Sequence, residues 1–521
     1  MRQFSLNKNS LALSLGCLIA GAVVAPEAKA LTLDWSGYFR ADYNYVGNYV
    51  AETGGTPAVT SDRNTSFSTV FMKLRPKVLV NDNVIVRSEW DIGDQVYGLF
   101  GRGIPRDQRS DVFGTDRAPF PIGARRLWLD VHTDFGTVQV GRAPFAWGLG
   151  AIFNAGDNPS DRYQTTMDTV RLVSKFGYLS VMPFYAKAAL GRSIGGARSP
   201  VGPGTPPTAF DTVASGSDDI TDYGIALRFE NPEEELEAGA LYYKRAGSDS
   251  QNSYLYGGNP PRTYTAGANG MSTKLINVYG KKTFKRLEIG AELPIFSGTV
   301  ADITGAGVRN NYSSIGLAGE AALKYDTWRH SVKFGFAPGQ EAAAGTGAAN
   351  RGNSFKAMSF NRAYKLGLIM FNYNLNNFGV GNPDAVPGNP NSDNAVVSPY
   401  DAAITNARYV MLSSEKRWEQ WGLNVGVVWA QANQAAQSGR DFYNTNNRNW
   451  YAATTTQGKN MGVEFDVGAR YNWDDNISFG LDGGLLVPGD YLKTTGNNAG
   501  AQVTGLDKTV AAVTLSASTV F

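Results

Sequence analysis

The sequence predicts an all-β chain, a transmembrane antiparallel β-barrel of eighteen strands with short periplasmic turns and long extracellular loops. Three observations predict it. Apolar and polar residues alternate along nearly every extended segment. The connections alternate between short and long. After the first thirty residues no run of ~18 apolar residues occurs, so no helix is available to span a bilayer.

The alternation is clearest in "MGVEFDVGARYNWDDNISFGLDGGLLVPGD", residues 461–490. Met461, Val463, Phe465, Val467, Ala469, Tyr471 and Trp473 fall on one face of a strand, because successive side chains point to opposite sides. Gly462, Glu464, Asp466, Gly468 and Arg470 fall on the other. After Asp474-Asp475-Asn476 the pattern restarts at Ile477. An open sheet with so long an apolar face needs a second layer, and no helix or second sheet is evident. Lipid can cover that face if the sheet closes and leaves no backbone edge unpaired.

The other hairpins follow in order. "LDWSGYFRADYNYVG" sets Trp35, Phe39, Tyr43 and Tyr45 against Asp34, Ser36, Arg40, Asp42 and Asn44. "STVFMKLRPKVLV" turns through Asn81-Asp82-Asn83, and "RRLWLDVH" through Asp134-Phe135-Gly136. Further turns are expected at Phe176-Gly177, Asn231-Pro232, Lys285-Arg286, Asp326-Thr327 and near Glu415-Lys416-Arg417. These are residue types suited to tight reversals. "KTVAAVTLSASTVF" supplies the last strand. Eight short turns and nine long loops join eighteen strands, each of about ten to fourteen residues and longer than the soluble norm. Short turns on one rim and long loops on the other are the outer-membrane pattern. Residues 340–399, containing "MSFNRAYKLGLIMFNYN", are long for a structureless loop. They leave two alternatives open, two further strands (twenty in all) or an inward fold that narrows the pore. Trp35, Tyr325, Trp328, Trp421, Tyr471 and Trp473 lie near strand ends, as interfacial aromatics do.

Composition agrees. Charged residues are 18% of 521 and the mean hydropathy is −0.26, with 60 Gly, 25 Tyr and 26 Phe. That mixture suits strands and turns. A net charge of +2 gives no reason to expect nucleic acid. The single cysteine, Cys17, excludes a disulfide framework. Arg2 and Lys8, the apolar run from Leu11 to Val24, and Ala28-Lys29-Ala30 read as a cleaved export signal over residues 1–30. Residues 31–521 then form the barrel, in the outer membrane of a Gram-negative cell. The terminal Phe521 fits recognition by barrel-assembly machinery.

Several segments resemble the alginate-export family of outer-membrane barrels and related porin-like proteins. They are "GRAPFAWGLGAIFNAGDN", "YKLGLIMFNY", "NARYVMLSSEKRWEQWGLNVGVVWAQA" and the closing "MGVEFDVGARYNWDDNISFGLDGGLLVPGD". The resemblance covers about a third of the chain. It implies an eighteen-stranded pore, often monomeric, so a monomer is expected rather than a trimer. It does not name the solute.

Strand parity assigns the inner face. Basic residues expected there are Arg40, Lys73, Arg75, Arg87, Arg126, Arg142 and Arg171; acidic ones are Glu288, Glu292, Glu320, Glu464, Asp466 and Asp482. Arg142 shares a face with Val140 unless a β-bulge intervenes near Gly141. The early wall is thus biased basic and the later wall acidic. Facing each other across a closed barrel, such walls favour polar solutes and set ion selectivity. The expected function is a channel for passive diffusion or export of small hydrophilic solutes, a class that leaves room for anionic ones. The bland reading is that these charges merely solvate the lumen and pair with one another. The alternative function is a plugged surface barrel acting as adhesin or receptor through its loops. The expected partners are outer-membrane lipid and lipopolysaccharide, and no cofactor or metal is expected. "NAGDNPSD" (154–161) has an acidic loop composition, but one ordinary for a solvated loop.

Enzymatic chemistry fits poorly. Of two histidines, His132 falls on the inner face beside Asp130 and Trp128, and His330 on the lipid face near a short turn. A barrel phospholipase needs a His-Ser pair with an acid or amide at the outer leaflet, and an omptin-like protease needs His-Asp groups at the outer rim.

Overall fold

In the computed structural model the described residues are 32–48, 53–54, 64–93, 122–159, 161–189, 220–247, 271–300, 309–373, 375, 402–445, 449–493, 496–498, 501–503, 506 and 508–521. The expected export signal lies outside them.

Eighteen strands run antiparallel in chain order. The first six are β1 (Thr32–Asp34 with Gly37–Gly47), β2 (Thr65–Leu74 with Lys77–Asn81), β3 (Val84–Ile92), β4 (Ile122–Thr133), β5 (Gly136–Pro144) and β6 (Thr166–Phe176). Next come β7 (Leu179–Ala189), β8 (Ile220–Asn231), β9 (Leu236–Gly247), β10 (Met271–Phe284), β11 (Leu287–Val300) and β12 (Asn310–Ile315 with Leu317–Tyr325). The last are β13 (Trp328–Ala337), β14 (Ala407–Trp418), β15 (Trp421–Ala432), β16 (Asn460–Asn472), β17 (Ile477–Pro488) and β18 (Val510–Val520). Each pairs with its chain neighbour, and β1 pairs with β18 from Tyr38↔Val520 to Gly47↔Ala511. The sheet therefore closes. At the seam Gly37 N–H donates to Phe521 O at 2.8 Å, and Phe521 N–H returns to Gly37 O at 3.0 Å. No edge is left to be desolvated in hydrocarbon.

The period-two pattern places the side chains as it predicts. Phe39, Tyr43 and Tyr45 are exposed on the outside, while Tyr38, Asp42 and Asn44 are buried inside. On β16 and β17 the exposed set includes Phe465, Val467, Leu481, Leu485 and Val487. Trp35, Tyr325, Trp328, Trp421 and Trp473 are exposed near the short-turn rim, where an amphipathic ring sits at a lipid–water boundary. The eight short connections are turns between paired strands. The one expected near Glu415–Arg417 falls just beyond, after Trp418, because those three residues continue β14 in register with Asn424, Leu423 and Gly422.

Eighteen strands, not twenty, make the wall. Residues 364–373 contribute none, because they fold into the lumen, and residues 376–401 of the long connection lie outside the described residues. Above the loop rim, Asp441–Asn444, Asn449–Ala452, Gly496–Asn498, Ala501–Val503 and Thr53–Gly54 form a separate five-stranded sheet.

The outer face generates a stability prediction. Leu481 lies exposed on β17, paired with Ala469 and Leu515. Leu481→Arg should cost about 2–4 kcal/mol of folding free energy in lipid vesicles, since Arg near the bilayer midplane loses its hydration. Leu481→Ile should cost under ~1.5 kcal/mol. Urea titration of vesicle-embedded protein measures both, and equal midpoints would mean this face does not meet hydrocarbon.

Candidate functional site

Two long connections turn inward, one between β5 and β6 (described at 145–159 and 161–165), the other between β13 and β14 (described at 338–373, 375 and 402–406). The first opens as "FAWGLGAIFNAGDN". Its aromatics dock on the inner wall. Trp147 Nε1 donates to Asn277 O at 3.2 Å and its ring meets Tyr279 edge-on at 4.9 Å. Phe145 lies 5.0 Å from Phe153 and 5.7 Å from Phe184. The backbone then crosses Glu292 of β11. One carboxylate oxygen accepts Leu149 N–H at 2.8 Å and Ala151 N–H at 3.1 Å; the other accepts Asn277 Nδ2 at 2.8 Å. Glu292 is fully buried. Gly148 makes the crossing possible. Its φ is +60°, and a Cβ there would sit 2.7 Å from Glu292 Oε2.

The second loop repeats the device on another part of the wall. Glu464 of β16 accepts Ile369 N–H and Met370 N–H, each at 2.6 Å. Asp466, two residues along on the same face, accepts Leu368 N–H at 3.3 Å. Three successive backbone donors thus end on two wall carboxylates. Gly367 leaves room for this, since a Cβ would lie 2.5 Å from Glu464 Oε1. Farther on, the Tyr373 hydroxyl bonds Asn44 of β1 at 3.3 Å and Thr514 of β18 at 3.4 Å. Nearer its start, Ser354–Phe355 pairs in parallel with β12.

The loops meet. Asn361 N–H donates to Ala151 O at 2.6 Å, and its side-chain amide donates to Thr165 Oγ1 at 3.0 Å. The Arg362 guanidinium and the Lys365 ammonium lie 5.2 Å and 6.0 Å from the centre of the Tyr163 ring. Together they bridge the lumen. On the loop-rim side is a cavity of about 580 Å³ touching Tyr163, Asn361, Arg362, Asp222 and Arg245. On the turn-rim side is one of about 610 Å³ touching Leu149, Glu237, Lys281, Glu288, Glu320 and Lys333.

Charges organise the wall opposite β11. Glu89 of β3 is buried under three cations, with Lys73 at 3.3 Å, Arg75 at 2.9 Å and Arg126 at 3.3 Å. The first inward loop brings Asp157 to Arg126 at 3.0 Å and to Arg75 at 3.5 Å. It also turns the Ala155 carbonyl toward Arg126. Deeper in this loop, burial raises the Asp161 carboxyl above its ordinary value, opposed by bonds from Asn158. Arg162 from this loop joins Arg40 on Asp42, each at 2.7 Å. Arg87 pairs with Asp130 at 2.7 Å, and Gln139 links Asp130 to Arg171. Arg75 and Arg87 keep roughly a third of their side-chain surface open. Lys73 and Arg126 are nearly sealed.

The residues singled out in sequence therefore divide. Lys73, Arg75 and Arg126 converge on one carboxylate, and Arg40, Arg87 and Arg171 extend the same wall. Arg142 does not join them. The register passes Gly141 without a shift, so Arg142 keeps Val140's face and pairs with Asp168 at 2.6 Å. Glu288 lines the turn-side cavity and pairs with Lys324 and, at 3.2 Å, with Arg329; Glu320 faces Lys333 at 3.0 Å. Glu292, Glu464 and Asp466 lie inward but beneath the loops they hold. Asp482 faces inward across from Gly468 on the neighbouring strand. Sequence reasoning missed Arg162, Tyr163, Asn361, Arg362 and Lys365, because loop residues carry no parity. The signal available was the pair of glycines in "WGLG" and "YKLGL". Among the described residues no group of three or more His, Cys, Asp or Glu is placed to hold a metal ion. His330 Nδ1 contacts Ser414 Oγ at 3.0 Å on the outer face, with its ring stacked on Trp328 near the turn rim.

Solved structures with similar overall architecture include OccK2 (OpdF) of Pseudomonas aeruginosa, at 8% identity and a TM-score of 0.44, over 94% of this chain and 98% of that one. A BenF-like porin from Pseudomonas fluorescens Pf-5 aligns at 10% identity and 0.46, over 94% and 98%. OccAB3 of Acinetobacter baumannii aligns at 8% and 0.44, over 94% and 99%. No family model and no curated protein matches the chain.

The two pinning carboxylates are testable. Glu464→Ala should free two loop donors at once, Ile369 N–H and Met370 N–H, each bond to a charged acceptor being worth about 1.5–3 kcal/mol. The barrel should still fold by heat-modifiability on gels, while protease sensitivity within 360–375 rises. Glu292→Ala should do the same within 148–152. An unchanged cleavage pattern in both would show that other contacts hold the loops.

Proposed function

We propose that the protein is an outer-membrane channel passing small hydrophilic solutes by diffusion, with anionic ones favoured. The observation that carries this reading is the crossed lumen: a closed sheet, apolar outside and charged inside, bridged by two pinned loops with a cavity on each side. A barrel of this strand number is wide enough for an aqueous path, and inward loops narrow it to solute size. The cations on β1–β6 exceed their wall partners around Glu89, so an anion crossing there meets Arg75 and Arg87 with open surface. Opposite it, Glu288 and Glu320 are matched by lysine and arginine. Local field of this kind biases passage by charge. The chain would travel to the membrane by the signal in residues 1–30 and assemble as a monomer. Phe521, locked at the seam, would serve as its handle for the assembly machinery. The alginate-export resemblance leaves the direction of transport open between uptake and export.

A second reading, a plugged barrel working through its outer loops, has one observation behind it. The second inward loop buries Ile369, Met370 and Tyr373 as an apolar core inside the lumen.

Planar-bilayer recording tests both. Discrete, steady current steps are expected, with a reversal potential in a salt gradient that shows anion preference. Arg75→Gln with Arg87→Gln should reduce that preference without unfolding. Arg126 is the wrong choice, because removing one partner of a buried pair costs about 3–5 kcal/mol. Folded protein that carries no current would sink the channel and leave the plugged barrel. Current with unaltered selectivity in the double variant would reduce these charges to lumen solvation.

A further inference from the structure

The register of the outer face stacks three rows across β7–β12. The lowest is apolar, Pro183↔Ile225↔Tyr242↔Ile276↔Ile295↔Ile315. The next, one pleat nearer the loop rim, reads Tyr185↔Tyr223↔Lys244↔Lys274↔Ser297↔Ser313. Above it come Thr221, Ala246, Ser272 and Thr299, with Lys187 paired to Thr221. A surface that changes from isoleucine to tyrosine and lysine to hydroxyls within three rows marks the hydrocarbon–headgroup boundary.

In the middle row two lysines stand directly opposite each other on adjacent strands. Their Cβ atoms lie about 4.5–5.5 Å apart in such a pair, and like charges so placed destabilise a sheet. Among the described residues no carboxylate forms an ion pair with either ammonium. Lys244 rests over the Tyr223 ring at 5.5 Å, which orients it along the outer surface. Lys274 is exposed. Arg142 and Asp168, farther round, neutralise each other. Among the described residues this stretch of wall thus holds two adjacent positive charges with no carboxylate paired to them, at the depth where the surface turns from apolar to polar, flanked by hydroxyl donors.

We propose that Lys244 and Lys274 form a binding site for the phosphoryl group of a phosphorylated glycolipid in the outer leaflet, with Tyr223, Ser297 and Ser313 beside it. A phosphate oxyanion placed between the two ammonium groups turns a repulsive cross-strand pair into a bridged one. Its acyl chains would lie along the isoleucine row. The site depends on the outer-membrane placement proposed above, but not on the lumen conducting.

The test is thermal unfolding of detergent-solubilised protein, titrated with a phosphorylated glycolipid, its dephosphorylated form, or inorganic phosphate. Wild type and Lys244→Gln/Lys274→Gln are compared. The phosphorylated lipid should bind the wild type about thirtyfold more tightly than the double variant, each lysine contributing about fivefold. The dephosphorylated lipid should bind both alike, and inorganic phosphate should protect neither. Equal binding of the phosphorylated lipid to both proteins overturns the site. Protection by inorganic phosphate at matched concentration overturns the lipid assignment and leaves a free-anion site. Bilayer current from the same preparations should be unchanged, because both side chains lie outside the lumen. Lipid discrimination without current would therefore refute the channel alone, and current without discrimination would refute this site alone.

Discussion

Everything in this molecule follows from one constraint: a sheet with an apolar outer surface has no water to satisfy a backbone edge. Closure is then obligatory. The pairing of β1 with β18, and the reciprocal bonds between Gly37 and Phe521, are the step on which the other seventeen strand pairings depend. Closure in turn creates an enclosed lumen, and a lumen must be filled by water, by charge or by chain. This protein uses charge and chain.

The two inward loops solve the problem of holding irregular backbone inside a barrel. Backbone N–H groups taken from water need acceptors. Here wall carboxylates supply them, Glu292 for one loop and Glu464 with Asp466 for the other. Each crossing has a glycine where a side chain would collide with the carboxylate. Aromatic packing around Trp147 and the Tyr373 bonds fix the remaining freedom. The loops then touch through Asn361 and Tyr163, so each braces the other. The basic wall is set by the same logic. Glu89 attracts Lys73, Arg75 and Arg126 together, and Asp157 arrives from the loop to face them.

The wall was legible in sequence because one rule governs it. Alternation, turn residues and the absence of a helix gave eighteen strands, and parity put Lys73, Arg75, Arg126, Glu292 and Glu464 on the inner face. Arg142 shows where parity mattered most: its shared face with Val140 was readable, and no bulge rescued it. The interior was not legible. Loop residues such as Arg162, Arg362 and Lys365 follow no period, and their positions depend on contacts more than a hundred residues away in the chain. Whether Glu464 lines water or holds a loop cannot be decided from its own neighbours. The glycines in "WGLG" and "YKLGL" were the local trace of that long-range fact.

The central claim is that the bridge formed by the inward loops stands in the solute path. Asp157 sits on the first loop with most of its side chain open to the lumen, facing Arg75 and Arg126. With Cys17 replaced, an Asp157→Cys channel can be exposed to a bulky charged thiol reagent during single-channel recording. A discrete fall in current upon modification, reached from either side of the bilayer, is the result expected. Modification confirmed by mass with no change in current would contradict the account, because the path would then run elsewhere.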